Sequence, residues 1–573
     1  MKLVHARVPY LYICFTFFLA VALWYTVKID CLDRTGELKE AGRALLDFGD
    51  VPILLLGTAF FSLLLPRLTD CLSGFSYARR TSADRTWYLP AFLLMALWQL
   101  PFLLSFYPAP GMNDTVFMME NPLYASVQFP WLYSVIYGYG ASWGKEALGS
   151  REPVIFFFSL LQLLLISYGL TAFAFWVKGR VHVLAGWGLY GYFLFFPMVG
   201  NYSIAAVRDG LFSLGLLFFV WLFLRRAEGE PWGRASQGIL IAALLSMLLR
   251  SNGLLVALLV CLALFFLEKR KEILLFFVIF ALISIGPAQI IQRTHHWEPL
   301  FQESMAIPLQ QLGRTMVLGG ERSEETKTLM ENLLTEEEWK KEYSPYTVDF
   351  VKWHDHFHRN WLNGQKKEFL SAWVDTGLRN PRIYVEGWLT ETYALWNLDP
   401  FEYDVQSRFG WALSDENTKD MKPADNDRMA TGDFPMPLWL KAGLANVSYE
   451  GSRFIGTGLS LWLTLFLGLL WIRQGRTTLL FAQLPLLANT GTLLLSTPAS
   501  SVFRYSFAYV LCLPVLVAVT LCHGTRKSKE GRYGAKNKSA AELHANMKRA
   551  AFSHQSLVTS PWSPVSSHYF PRS

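Results

Sequence analysis

The amino-acid sequence predicts an all-α polytopic membrane protein of about twelve transmembrane helices, with a mostly helical extracytoplasmic insertion. Three observations predict it. Of 573 residues, 52% are hydrophobic and 15% aromatic, but only 17% are charged, where a soluble domain carries about 25%. Apolar runs of near-spanning length recur along the chain. Lys and Arg gather in alternate connections between those runs. This composition excludes disordered, fibrous and small disulfide-rich classes.

A bilayer crossing needs roughly 20 mostly apolar residues. Such runs lie near 8–27, 51–66, 87–106, 153–176, 182–199, 210–224, 236–249, 252–267, 273–291, 455–472, 477–496 and 505–522. The first follows Lys2, His5 and Arg7 without a small-residue cleavage site, so it reads as an uncleaved anchor. With the N-terminus inside, the inner connections carry Arg67, Arg79, Arg80 and Arg85, then Lys178 and Arg180, then Arg225, Arg226 and Arg234. Lys269, Arg270 and Lys271 follow, then Arg473 and Arg476, while the outer loop 28–50 is net acidic. Twelve spans in the cell membrane with both termini cytoplasmic satisfy the positive-inside tendency throughout; an odd count would set one terminus against it. The net charge of +7 therefore reflects membrane topology and not nucleic-acid affinity.

The chain divides into N-terminal anchor helices (1–86), a membrane core with a first outer loop at 107–152 (87–291), an extracytoplasmic helical domain (292–454), C-terminal membrane helices (455–523) and a basic, Ser-rich cytoplasmic tail (524–573). The tail's polarity predicts disorder. Of the six cysteines, four lie in apolar runs and Cys31 is alone in its outer loop, which leaves no disulfide framework. No repeat is evident. GxxxxGK[ST] and a GxGxxG following a strand are absent, which argues against cytoplasmic ATPase or dinucleotide chemistry.

In the first outer loop, Phe129–Tyr139 is apolar and aromatic but too short to span. It reads as an interfacial helix with Trp131, Tyr133 and Tyr137 at headgroup depth. Asp114 lies just past the third span. One reading is a helix cap within Asn113-Asp114-Thr115. The other is a general base that takes a proton from an attacking hydroxyl. The residue alone leaves both open.

Arg208, Arg250 and Arg504 each sit at the outer end of a span, against the positive-inside tendency. Charge at that depth is costly and usually faces a polar cavity. Three guanidiniums converging on one phosphate would neutralise it bidentately and favour a transition state in which its charge grows. Alternatively the arginines snorkel to the interface or pair with acids such as Asp209. Asp209 opens a span and either caps that helix or lines the site as a second acid. In 302–320, Glu303, Gln310, Gln311 and Arg314 offer polar groups to a sugar; the rival reading is an amphipathic helix on the membrane. His354 and His358, four apart and flanking Asp355, have zinc-compatible helical spacing. The Glu of HExxH is missing, and a solvated helix face competes. Farther on, 370–388 reads as two packed helices. Tyr393 and Trp396 suit either sugar stacking or the core. Asn201 and Asn446 head sequons.

An acid after an early span, then Phe129-Pro130-Trp131-Leu132-Tyr133 in the same loop, then a long alternation of helices, resembles the GT-C superfamily of membrane glycosyltransferases, in particular its protein-mannosyltransferase-like branch. The chain is more similar still to an uncharacterised bacterial multi-pass family. The motifs carrying that resemblance are Tyr107-Pro108…Asp114, Arg208-Asp209, Arg250-Ser251-Asn252-Gly253, Ile307-Pro308-Leu309-Gln310-Gln311 and Arg504-Tyr505, in that order over about 87–520. GT-C resemblance implies a GT-C-like fold. It also implies a polyprenyl-phosphate-linked sugar donor used on the outer face, and Asp114 as base. The acceptor would be an envelope glycan, lipid or protein. A divalent metal remains possible, since some relatives use one. The expected site is therefore Asp114 and Asp209 as acids, with Arg208, Arg250, Arg504, Tyr505, Gln310 and Gln311 binding substrate. The rival functions are a transporter or flippase of lipid-linked sugars and a non-catalytic envelope assembly factor.

Overall fold

The computed structural model describes residues 2–39, 44–74, 80–105, 107–109, 113–398, 456–496 and 503–522. The basic tail, the Asn446 sequon and the end of the insertion after residue 398 lie outside these. Among the described residues the only regular structure is helix, save one isolated bridge between Ser344 and Thr347.

The N-terminal helices α1 (Lys2–Arg34) and α2 (Val51–Gly74) pair, and α3 (Tyr88–Ser105) follows. The first loop folds into α4 (Asn113–Glu120), α5 (Pro122–Gln128), α6 (Trp131–Tyr133), a π-helical turn (Ser134–Tyr139) and α7 (Gly140–Leu148). Next come α8 (Glu152–Arg180), α9 (Val183–Phe195), α10 (Pro197–Ile204), α11 (Asp209–Ala227), α12 (Arg234–Met247), α13 (Gly253–Glu268) and α14 (Lys271–His295). The insertion contains α15 (Ala306–Val317), α16 (Glu324–Leu333), α17 (Glu336–Glu342), α18 (Asp349–Lys352), α19 (Arg359–Gly364), α20 (Lys366–Arg379), α21 (Pro381–Glu391) and α22 (Tyr393–Trp396). The chain closes with α23 (Thr457–Arg473), a 3-10 segment (Thr477–Gln483), α24 (Leu484–Ser496) and α25 (Ala508–Cys522).

The polytopic character stands, but the count of twelve does not. Among the described residues seven helices are long and apolar enough to cross a membrane, or eight if the pair α9 and α10, bent by 61° at Phe196–Pro197, is one crossing. Apolar helices at Tyr88–Leu104, Arg234–Met247, Gly253–Glu268 and Thr457–Arg473 fall short. At 1.5 Å rise per residue, 14–17 residues reach only about 21–26 Å, less than the roughly 30 Å hydrocarbon thickness. Apolar composition marked these runs. Helix length, which turns such as that at Arg250 cut short, decided the count.

The helices differ in what covers them. Only 11% of the apolar window is buried in the α2 and α14 spans, against 67% in those of α11 and α25. The first pair is peripheral and the second central. Leu216, Leu217, Phe219 and Val220 of α11 pack in one apolar core with Phe173 of α8 and Val515 and Leu516 of α25.

Inside the insertion, α15 is a central helix rather than a membrane-surface one. Ala306, Leu309, Leu312 and Met316 pack against Met330, Leu333, Trp339 and Phe369. Its polar stripe is buried too. Arg314 pairs with Glu386 at 2.9 Å, both essentially inaccessible. The Leu46 amide donates to Glu386 at 3.0 Å, so this buried pair also ties the loop after α1 to the insertion. Gln310 Nε2 donates to the carbonyls of Ser344 and Pro345, both at 2.8 Å. Gln311 donates to the Tyr384 carbonyl and accepts from Trp373 Nε1. These bonds correct the expectation that Gln310 and Gln311 bind substrate, because their amides hold the insertion's backbone together.

The interfacial reading of 129–139 is corrected as well. Tyr133 and Tyr137 are buried, their rings tilted by 52° with centres 4.9 Å apart, while Trp131 Nε1 donates to the Ile283 carbonyl at 2.7 Å. The aromatic face packs on protein because α4, α5 and α14 cover it.

Candidate functional site

Four chain segments far apart in sequence bring their charged ends together. Asp114 lies in the first turn of α4. Arg208 caps α11 and Asp209 opens it. Arg250 sits in the turn between α12 and α13, and Arg504 and Tyr505 lie in the 3-10 turn before α25. Arg208 Nη2 donates to Asp114 Oδ2 at 3.1 Å, and Arg504 Nη2 lies 3.3 Å from the same oxygen. Arg250 pairs with Asp209. Its guanidinium lies 4.3 Å from the Tyr505 ring centre, and that of Arg504 5.0 Å from the same ring. Arg504 Nη2 also meets the Tyr505 hydroxyl at 3.2 Å. Six of the eight expected residues are therefore one cluster.

Local structure explains how the chain makes it. The 205–208 bend is held from three sides. Gln162 of α8 donates to the Tyr202, Ser203 and Ala205 carbonyls. Thr115 and Tyr133 both donate to the Ala206 carbonyl, at 2.7 and 2.6 Å. Two glycines allow the close approach. A Cβ on Gly210 would lie 2.3 Å from the Tyr202 carbonyl oxygen, and one on Gly253 2.2 Å from that of Met247. Behind Arg250, Asn252 Nδ2 donates to Asn489 and Thr492, and Asn489 donates to the Tyr505 carbonyl. That relay fixes the Arg250 turn to the Arg504-Tyr505 turn through α24.

Three guanidiniums face two carboxylates, a balance of one positive charge. Burial by itself would raise the Asp114 carboxyl. The charges of Arg504 and Arg208, with a contribution from Arg250, overcome that and hold it below the ordinary carboxylate range. Arg208 is only 11% exposed, and its Nη1 is buried without a hydrogen-bond partner among the described residues. Buried N–H groups of a cation are rarely left so. The guanidinium also rests 5.1 Å from the Phe129 ring centre. The arrangement suits a bidentate oxyanion, phosphate above all. Both carboxylates face arginines, Asp114 through Oδ2 and Asp209 through Oδ1.

The His354/His358 helix does not form. Helix α18 ends at Lys352, and His358 Nδ1 pairs instead with the Asn332 carbonyl. His354, His356 and Glu338 form the one group among the described residues whose ligand atoms lie close enough for a metal, within 4.8 Å. His356, 73% exposed, is already hydrogen-bonded to Glu338. Gln162 and Asn489 went unread in the sequence, and Thr115, Tyr133 and Phe129 were read in other roles. Asn252 carried a signal as the Asn of the Arg-Ser-Asn-Gly segment, and Phe129 and Tyr133 as the ends of the Phe129–Tyr133 segment.

The sequence matches the family of unknown function DUF6020 over residues 117–535. The chain belongs to that family. The DUF6020 match takes in Arg208, Asp209, Arg250, Arg504 and Tyr505 and begins three residues after Asp114. No curated protein and no solved structure matches the chain.

Proposed function

We propose that this DUF6020 protein is a GT-C-like membrane glycosyltransferase. It takes a sugar from a polyprenyl-phosphate donor and passes it to an envelope acceptor on the extracytoplasmic face. The observation that carries the reading is the convergence of Arg208, Arg250 and Arg504 with Asp114 and Asp209 at the end of the helix bundle that bears the insertion. A lipid-phosphate leaving group gains charge as its glycosidic bond breaks, and preorganised cations stabilise that change. The apolar helices around the cluster suit the polyprenyl chain. In this scheme Asp114 orients two of the arginines, Arg208 and Arg504.

The test is reconstitution in liposomes with undecaprenyl phosphate carrying a labelled hexose. Release of undecaprenyl phosphate is expected, with donor affinity lowered at least tenfold by Arg208→Gln and by Arg250→Gln. Unchanged affinity in both variants would remove the clamp. One observation favours a second reading. The bent pair α9 and α10 has the broken-helix form common in transporters. Movement of the intact lipid-linked sugar across the bilayer without bond cleavage would support a flippase.

A further inference from the structure

A further acid, Glu303, is carried by the insertion next to the first outer loop. It lies in the 3-10 turn Phe301–Ser304. That turn is pinned to the first outer loop, since the Leu300 amide donates to Gln128 Oε1 at 2.8 Å. The next residue, Phe129, is the ring beneath Arg208. On its other side the Phe301 amide donates to Asn363 at 2.9 Å. Glu303 Oε1 lies 3.2 Å from Lys352 Nζ, and Lys352 also pairs with Asp349 at 2.9 Å. Lys352 is 1% exposed while Glu303 keeps 29%, close to the 28% of Asp114. The network is costly for stability alone, because buried charges repay their desolvation only with full pairing. Two carboxylates share one ammonium here, and the buried Glu391 adds a third acid near them.

We propose that Glu303 is the general base that accepts the proton of the acceptor hydroxyl; this rests on the glycosyltransferase reading above. The acceptor oxygen bonds to the sugar's anomeric carbon. The bond from that carbon to the phosphate oxygen breaks, its electron pair leaves with the polyprenyl phosphate, and the hydroxyl proton goes to the Glu303 carboxylate. Arg208, Arg250 and Arg504 take up the leaving group's charge.

The electrostatics divide the two acids in this way. Asp114 is pinned by guanidiniums and holds protons weakly. Burial raises Glu303, Lys352 draws it partly back, and the charges of Asp349 and Asp114 raise it again. A base works best when its proton affinity lies near the operating pH, and that favours Glu303. The Leu300–Gln128 bond, one residue before the Phe129 ring that lies against Arg208, sets this turn beside the phosphate side.

The experiment uses the full chain in liposomes, undecaprenyl phosphate carrying a labelled hexose, and envelope membranes as acceptor. Glu303→Gln is expected to cut transfer about 10²- to 10⁴-fold with donor affinity unchanged, and Glu303→Asp to restore part of it. Lys352→Met should move the acid limb of the pH–rate profile to higher pH, because Glu303 loses the cation that lowers it. If the wild type binds and turns over donor while Glu303→Gln does so equally well, the assignment is overturned and the glycosyltransferase reading survives. An acid limb unmoved by Lys352→Met also overturns it. If the wild type neither binds nor cleaves donor, both readings fall.

Discussion

Replacing Asp114 by Asn separates the pairing role of this carboxylate from any other. Its Oδ2 serves Arg208 at 3.1 Å and Arg504 at 3.3 Å. Removing one member of a buried pair costs about 3–5 kcal/mol, because the remaining charge is left uncompensated. Asp114 retains 28% exposure, so solvent offsets part of the loss, and about 3 kcal/mol is expected. That is roughly two decades in the unfolding equilibrium. The cluster balance would go from one positive charge to two, so phosphate-lipid binding should hold or tighten while transfer falls. The pH dependence has a definite sign. The folded-state carboxyl is depressed, so its stabilisation is present above the ordinary carboxylate pKa of about 4. It is lost as pH falls through the lower folded value. The gap between wild type and Asp114→Asn should therefore close on acidification. Equilibrium unfolding in mixed micelles at several pH values, beside binding of undecaprenyl phosphate, measures both. A variant as stable as wild type at neutral pH, with the same affinity and full transfer, would refute the paired-carboxylate account.

Other outcomes follow from the same contacts. Gly253→Ala places a Cβ 2.2 Å from a backbone oxygen; the strain should cost about 1–3 kcal/mol and, by shifting the Arg250 turn, weaken donor binding in a titration. Tyr505→Phe removes the hydroxyl that meets Arg504 but keeps the ring beneath Arg250. It should lower stability by about 1 kcal/mol, and Tyr505→Ala should lower it further, by a cation–π contribution of about 0.5–2 kcal/mol. Gln310→Leu strips the donor from two carbonyls inside the insertion, those of Ser344 and Pro345. It should destabilise by about 1–3 kcal/mol without altering donor KM, whereas a substrate-binding glutamine would show the reverse.

Membrane character and the order of apolar runs were legible from the sequence because composition and hydropathy are local properties. The misplaced arginines were legible for a similar reason, since Arg208, Arg250 and Arg504 break a charge rule that holds elsewhere along the chain. Glycines and turn residues beside them, as in Ser251-Asn252-Gly253, marked sharp bends without saying what the bends approach. Gln310 and Gln311 misled because a polar side chain on a helix reads the same whether it faces a sugar or a buried carbonyl. Tyr133 and Tyr137 misled because aromatic residues suit headgroups and protein cores equally.

What the sequence by itself determined is the solvent the chain lives in and which charges cannot sit comfortably there, since both follow from residue type and spacing. Only the tertiary structure decided which charge meets which. Asp114 and Arg208 are 94 positions apart and Arg504 lies farther still, and no local pattern encodes contacts over such separations. They come from the packing of α4, α11 and α25 and from the bonds of Gln162, Thr115 and Asn252 that lock the bends. Folding also set two acids in opposite surroundings: Asp114 among guanidiniums, and Glu303 beside a single buried ammonium.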